Sequence, residues 1–261
     1  MNARVTALYR YPVKGFSPEP LERAAIAAGG TAPYDRAFAI ENGPSGFDPA
    51  APSYLPKTRF LMLMKNERMA AFRTRFDEAS GMFSVHRDGA LQIEASLLTA
   101  AGRSELEAWI AETFRDELRG PPKILSAPGH SFTDKAGKLL HLVNLASVRA
   151  LEEQLGRPID PLRFRPNVVI DGAPAWSELD WAKSGLRLPG IRLAGESRTT
   201  RCAATEVDPR TGARDMPIPR ALDALNGHAD FGIYLRAEIA GAIAVGDRLE
   251  TVAAAQAALP L

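Results

Sequence analysis

The chain has 261 residues, enough for one large domain or two modest ones, each with its own core. Hydrophobic residues make up 46% and charged residues 24%, an ordinary globular balance. The formal net charge is +1, which argues against a diffuse nucleic-acid-binding surface but leaves room for a local basic pocket. No stretch approaches the ~20 apolar residues of a membrane span, and the charged N-terminus has no apolar signal-peptide core. A single cysteine excludes an internal disulfide and any Cys–Cys zinc or iron–sulfur site. It suits a reducing compartment, so a cytoplasmic location is expected.

The first half opens on strands. Val5, Ala7, Tyr9 and Tyr11 alternate with their neighbours at the period of a half-buried strand. A turn at Pro12–Pro18 follows, then a strand over Leu21–Ala28 and another over Arg36–Ile40. Asn42–Pro56 is rich in Gly, Pro and Ser, and reads as a long loop and candidate lid. Asp88-Gly89 between Met82–Val85 and Leu91–Glu94 signals a hairpin. Leu106, Trp109, Ile110 and Phe114 fall on one helical face over Ser104–Phe114, with Ser104 and Glu107 as an expected capping box. Gly120-Pro121-Pro122 stops this region and marks the expected domain boundary.

The second half reads as a strand near Leu140–Leu145 and a helix over Ser147–Leu155, capped by Ser147 and ended by Gly156. Val168–Asp171, Ile191–Leu193 and Cys202–Val207 are expected strands. Asp208–Gly212 is a turn and Pro219–Asn226 a short helix. Phe231–Ala237 and Ala242–Leu249 are closing strands, and Val252–Leu261 an Ala-rich end or docking segment. The fold class is therefore mainly β with some α: an α+β domain over 1–120 and a barrel-like β domain over 121–261.

Cys202 is the first candidate for chemistry. Arg201 precedes it and Arg198 is near, and guanidinium groups favour the thiolate that a thiophilic metal prefers. A lone cysteine is otherwise most often a small core residue. Lys14, before Gly15, with Arg36, Arg163 and Arg165, forms a set that could converge on a phosphate; singly, each reads as surface charge. Thr133, Asn144, Ser147 and Asn167 offer short polar groups for a heterocycle, though such residues more often cap turns and helices. The four histidines lack metal-ligand spacing, and His228 reads as structural. No Gly-x-Ser-x-Gly, Walker-type or Gly-x-Gly-x-x-Gly motif appears, which lowers the case for hydrolase, nucleotide-phosphatase and dinucleotide functions.

Together these pieces resemble the MOSC family, named for the molybdenum cofactor sulfurase C-terminal domain. Tyr11-Pro12-Val13-Lys14-Gly15 and Asp35-Arg36-Ala37-Phe38 are similar to the N-terminal MOSC-associated domain. Phe132-Thr133-Asp134, Arg163-Phe164-Arg165-Pro166-Asn167 and the stretch from Arg201 to Gly212 resemble the MOSC β-barrel, as does the closing Gly241–Asp247. The resemblance covers nearly the whole chain, and Arg201–Gly212 is its most specific part. It implies a molybdenum–molybdopterin cofactor with Cys202 as metal ligand. Lys14, Arg36, Arg165 and Asn167 would hold the pterin phosphate and ring edges beside Arg201, with Thr133 and Asn144 as further contacts. Asp208 would sit near the metal or fix the turn behind it.

Through the amidoxime reducing component and its bacterial relatives, the resemblance implies reduction of N-hydroxylated small molecules. An external electron-transfer partner is required, because no ferredoxin-like module is expected. No nucleic acid or membrane partner is expected. The alternatives are a non-catalytic cofactor carrier or sulfur-transfer module, and a phosphate- or nucleotide-binding domain without metal. Three places depart from the family pattern. Gly15 stands where serine is frequent, Glu206 and Arg210 are unusual, and Phe60–Glu67 differs on the expected substrate side.

Overall fold

A computed structural model describes residues 3–252. The expected end segment Val252–Leu261 therefore lies, beyond its first residue, outside the described residues. The first half runs β1 (Arg4–Arg10), β2 (Glu19–Leu21), β3 (Arg23–Ile26), β4 (Ala39–Asn42), β5 (Arg73–Phe76), β6 (Met82–Arg87), β7 (Ala90–Ser96) and α1 (Ala100–Thr113). Then come β8 (Pro122–Leu125), β9 (Leu140–Asn144), α2 (Leu145–Leu155), β10 (Val168–Asp171), β11 (Gly185–Leu188) and β12 (Ile191–Thr200). The last are α3 (Ile218–Asn226), β13 (Asp230–Ala237), β14 (Gly241–Ala244) and β15 (Glu250–Val252).

The largest sheet has eight strands in the order β15-β11-β12-β13-β9-β10-β1-β2. Its pairs are antiparallel except β9 and β10, which are parallel. A parallel pair needs a crossover, and α2 supplies it. Leu142, Ile170, Leu193, Ile233 and Leu235, all buried, form this sheet's core with Val5 and Leu8 from β1. The opening strand thus belongs to the sheet of the second half: Val5 pairs with Ile170 and Leu8 with Val168. β3 pairs with β14 in the same interleaved manner. A second core, rich in phenylalanine, gathers Phe16, Phe38, Phe72, Phe83 and Phe114 with Leu106 and Ile110 of α1.

Several local expectations change. α1 starts four residues before Ser104, because the Thr99 side chain accepts a hydrogen bond from the Gly102 amide at 3.1 Å. Glu107 instead accepts from the Ile124 amide at 2.7 Å, tying α1 to β8. Asn144, not Ser147, caps α2, accepting from the Ala146 amide at 3.1 Å. Ser147 lies inside the helix and donates to the buried Glu178. Cys202–Val207 is no strand: Ala203–Glu206 form a 3-10 turn, held by the Thr205 amide and hydroxyl donating to the Cys202 carbonyl at 3.0 and 2.9 Å. Ala242–Leu249 is strand only to Ala244. Gly156 ends α2 in the left-handed region (φ 65°), as expected of a helix-stopping glycine.

Candidate functional site

The site is built where chain ends of the large sheet meet loops of the first half. Beyond β1, Tyr11 is fully buried and its amide donates to Asp35 Oδ1 at 2.9 Å. The Arg36 amide donates to the Tyr11 carbonyl at 2.7 Å, and the Phe38 amide to Pro12 at 3.1 Å. These bonds fix the segments carrying Lys14 and Arg36 side by side. Asn167 joins them to the second half. Its Oδ1 accepts from the His141 amide at 3.1 Å and from Arg36 Nη1 at 3.2 Å, while its Nδ2 donates to the Tyr9 carbonyl at 3.1 Å. Asn167 is therefore a buried tie between strand ends.

Arg165 follows the 3-10 turn Pro161–Phe164 and takes a left-handed conformation (φ 52°); Arg36 does the same (φ 50°). Such backbone is uncommon for a residue with a side chain, and clusters where surrounding structure over-determines it. Both guanidinium groups lie against the Tyr11 ring, at 4.4 Å for Arg36 and 4.1 Å for Arg165. Arg201 and Cys202 leave the end of β12, anchored by the Arg201 amide donating to Ala229 at 2.8 Å.

These residues line a cavity of about 100 Å³. It brings together Lys14, Arg36, Thr133, Arg165, Asn167, Arg201 and Cys202, seven of the residues expected from the sequence. Cys202 is half-buried and opens into the cavity rather than into a sealed core. The Phe60–Glu67 stretch contributes Met62, Leu63 and Met64 to the wall. Asn144 is not part of the lining: it caps α2 and donates to Glu178 at 3.1 Å, because its place at the end of β9 turns it toward the helix. Asp208 does not line it either. It accepts the Arg210 and Thr211 amides at 2.8 Å each and pairs with Arg163 at 3.2 Å, holding the turn behind the site.

The charge balance is uneven. Arg36 is neutralised by Asp35 at 2.6 Å. Arg163 has Asp208 and Asp215, the latter at 2.7 Å. Lys14 bonds to the Phe132 carbonyl at 2.9 Å and to Asp134. Arg165 and Arg201 have no carboxylate partner among the described residues. Arg165 donates to the Phe16 carbonyl and Arg201 to the Phe164 carbonyl, both at 2.9 Å, while the buried Arg201 Nε has no partner.

Burial pulls Arg165 down to about 10, with Tyr11 opposing and Arg36 assisting. It also pulls Arg201 and Lys14 below their ordinary values. Burial would push the Asp134 carboxyl up, but Lys14, Lys57 and Arg36 hold it below the usual range. Burial, then the Arg201 and Arg36 charges, keep His141 neutral. A pocket whose buried cations outnumber their counter-ions is one that an anion stabilises.

Lys57, His141 and Tyr234 line the cavity without having been singled out as site residues in the sequence, whereas Asp134 stood in the Phe132-Thr133-Asp134 string. Lys57 places its Nζ 3.3 Å from Cys202 Sγ and 3.7 Å from Asp134 Oδ2. Asp134, His141 and Tyr234 are also in the wall. Lys57 sits in a Pro-rich stretch without periodicity, 145 residues from its sulfur partner, so no local pattern could announce it. His228, read as structural, accepts from the Asp230 amide at 3.2 Å and is not in the lining.

Among the described residues, no three His, Cys, Asp or Glu side chains gather to hold a bare metal ion. The donor set suits a different group: one thiol beside an anion-holding ring of Arg and Lys. The orphaned Arg201 Nε and the two carboxylate-free guanidinium groups fit an anionic, hydrogen-bond-accepting group that brings its own metal.

The chain is similar to several known proteins. A stretch of 114 residues is 35% identical to mitochondrial amidoxime-reducing component 1 of Mus musculus, covering 39% of this chain and 33% of that protein. Mitochondrial amidoxime reducing component 2 of Rattus norvegicus is 30% identical over 122 residues, 41% of this chain and 35% of that protein. Molybdenum cofactor sulfurase of Drosophila melanogaster is 36% identical over 97 residues, 36% of this chain and 12% of that protein. The chain thus matches about a third or less of these relatives' length. The crystal structure of the YuaD protein from Bacillus subtilis aligns over 95% of this chain and 94% of its own, with 14% identity and a TM-score of 0.45. Residues 2–122 match the MOSC N-terminal β-barrel domain model and residues 129–250 the MOSC domain model. The chain belongs to the MOSC family, with both its N-terminal barrel domain and the MOSC domain present.

Proposed function

We propose that this protein binds a molybdenum–molybdopterin cofactor and uses it to reduce N-hydroxylated small molecules with electrons from an external donor. The observation that carries the reading is the cavity. It sets the chain's one thiol among Lys14, Arg36, Arg165 and Arg201, with two of those guanidinium groups lacking a carboxylate among the described residues. The amidoxime-reducing names of two relatives supply the substrate class. The expected site residues Lys14, Arg36, Thr133, Arg165, Asn167, Arg201 and Cys202 are retained in this proposal; Asn144 and Asp208 enter it only as supports of α2 and of the turn behind Arg163.

Cys202 would ligate the metal, and its carbonyl, capped by Thr205, fixes where the sulfur points. Lys14, Arg36 and Arg165 would hold the pterin phosphate, Arg through planar paired contacts and Lys as a point charge. Arg201 would donate its free Nε. Tyr11 and Asn167 orient the two arginines. When bound, the cofactor supplies the two-electron chemistry that cleaves the N–O bond; the chain supplies charge, orientation and a partly dry wall of Met62, Leu63, Met64 and Phe164. Among the described residues no helix is long and apolar enough to cross a membrane.

The test is metal analysis and turnover in parallel, on protein from a host that makes the cofactor. Wild type should carry molybdenum and reduce benzamidoxime with an artificial donor, whereas Cys202→Ser should lose the metal. Equal molybdenum in both would contradict the ligand assignment. The similarity to cofactor sulfurase favours a second reading, a carrier or sulfur-transfer module. Metal-loaded protein without turnover would support that one.

A further inference from the structure

Lys57 reaches Cys202 from the other half of the chain. It opens the 3-10 turn Lys57–Arg59, at the end of the Gly- and Pro-rich loop that follows β4. Its ammonium is 3.3 Å from Cys202 Sγ and 3.7 Å from Asp134 Oδ2. It is more exposed than Lys14, Arg36 and Arg163. Its side chain is 30% exposed, against 8% for Lys14, 14% for Arg36 and 1% for Arg163. Lys57 therefore touches both solvent and the sulfur, at the mouth rather than the floor.

Its one carboxylate is shared. Asp134 pairs more closely with Lys14, and Lys57 takes what remains at the longer distance. Arg201, beside it in the lining, has no carboxylate at all among the described residues. The groups facing the Lys57 ammonium are Asp134, Cys202, Tyr234 and Arg201. Met62, Leu63 and Met64 also line the cavity. Apolar side chains together with a cation that shares its carboxylate are how a pocket admits an organic molecule and fixes its orientation through one anionic group.

We propose that Lys57 is a specificity-determining residue that draws carboxylate-bearing small molecules to the Cys202 centre, placing their anionic group beside the sulfur. For substrates this rests on the reading of Cys202 as the reacting centre, and it narrows the N-hydroxylated class to members that also carry a carboxylate. Asp134 sets the threshold: its charge competes with the incoming anion and repels it from an empty mouth.

The chain's single cysteine allows a test that needs no cofactor. Iodoacetate and iodoacetamide alkylate the same sulfur, one as an anion and one neutral. The ratio of their rates on cofactor-free protein cancels thiolate population and general accessibility. Lys57→Met should lower the iodoacetate-to-iodoacetamide ratio by about tenfold, the factor given by ~1.4 kcal/mol. Lys57→Arg should keep most of the ratio, and Asp134→Asn should raise it. In metal-loaded protein, Lys57→Met should raise KM for 4-carboxybenzamidoxime while leaving that for benzamidoxime near wild type. An unchanged ratio in Lys57→Met overturns the proposal. Should that variant not fold, an unchanged or lower ratio in Asp134→Asn overturns it. The two readings fail separately: a shifted ratio in a protein that never holds molybdenum sinks the cofactor reading alone, whereas molybdenum bound with an unshifted ratio sinks only the role of Lys57.

Discussion

Arg201 shows what the cavity costs the cofactor-free chain. Its side chain is half-buried and lacks a carboxylate partner among the described residues, and its buried Nε has no acceptor there. Burial lowers its tendency to hold the proton, as it does for Arg165. A group in that condition opposes folding until a ligand compensates it. Arg201→Met should therefore raise the stability of cofactor-free protein by about 1 kcal/mol in urea denaturation, because it removes an uncompensated charge and keeps the packing against Phe164. The same variant should retain less molybdenum than wild type. A loss of stability would show that Arg201 is structurally satisfied and not held in waiting. At this scale the sequence was informative where chemistry is local. Arg201-Cys202 and Lys14-Gly15 stand in recognisable strings. Lys57 and His141 do not, since their roles arise only from contacts across 145 and 60 residues, with Cys202 and Arg201 respectively.

Elements carry the site by their ends. β1 and β12 end near it, β9 and β10 begin near it, and Asn167 ties those ends together. Asn144 illustrates how the same residue type reads differently in sequence and in place. A polar side chain at the close of an apolar strand is compatible with ligand contact, but here it starts α2 and, with Ser147, supports the buried carboxyl of Glu178. Asn144→Ala should cost about 1–2 kcal/mol in chemical denaturation through the lost cap and the weakened Glu178 contacts, while molybdenum content stays at wild-type level. A variant as stable as wild type but depleted of metal would return Asn144 to the cofactor site. The strand expected at Cys202–Val207 failed for a related reason. Thr205 favours a strand by propensity, yet its hydroxyl and amide both bond back to the Cys202 carbonyl and close a turn. Periodicity found most strands and all three α-helices among the described residues, with errors at starts, where one capping bond decides.

Over the whole molecule, the two halves are interleaved. β1 and β2 extend the sheet of the second half, and β3 pairs with β14. This long-range pairing left no trace in local patterns, because β-pairing partners are chosen by tertiary packing. Its consequence is functional: cations from 14, 36 and 57 meet the sulfur from 202 across one cavity, so neither half alone holds the complete donor set. The account stands on a direct bond from that sulfur to molybdenum. X-ray absorption at the molybdenum edge, on full-length protein loaded in a cofactor-producing host, reads it most directly. Wild type should show one more sulfur neighbour than the cofactor's own dithiolene supplies. A molybdenum edge that shows only the dithiolene's sulfur atoms would contradict it.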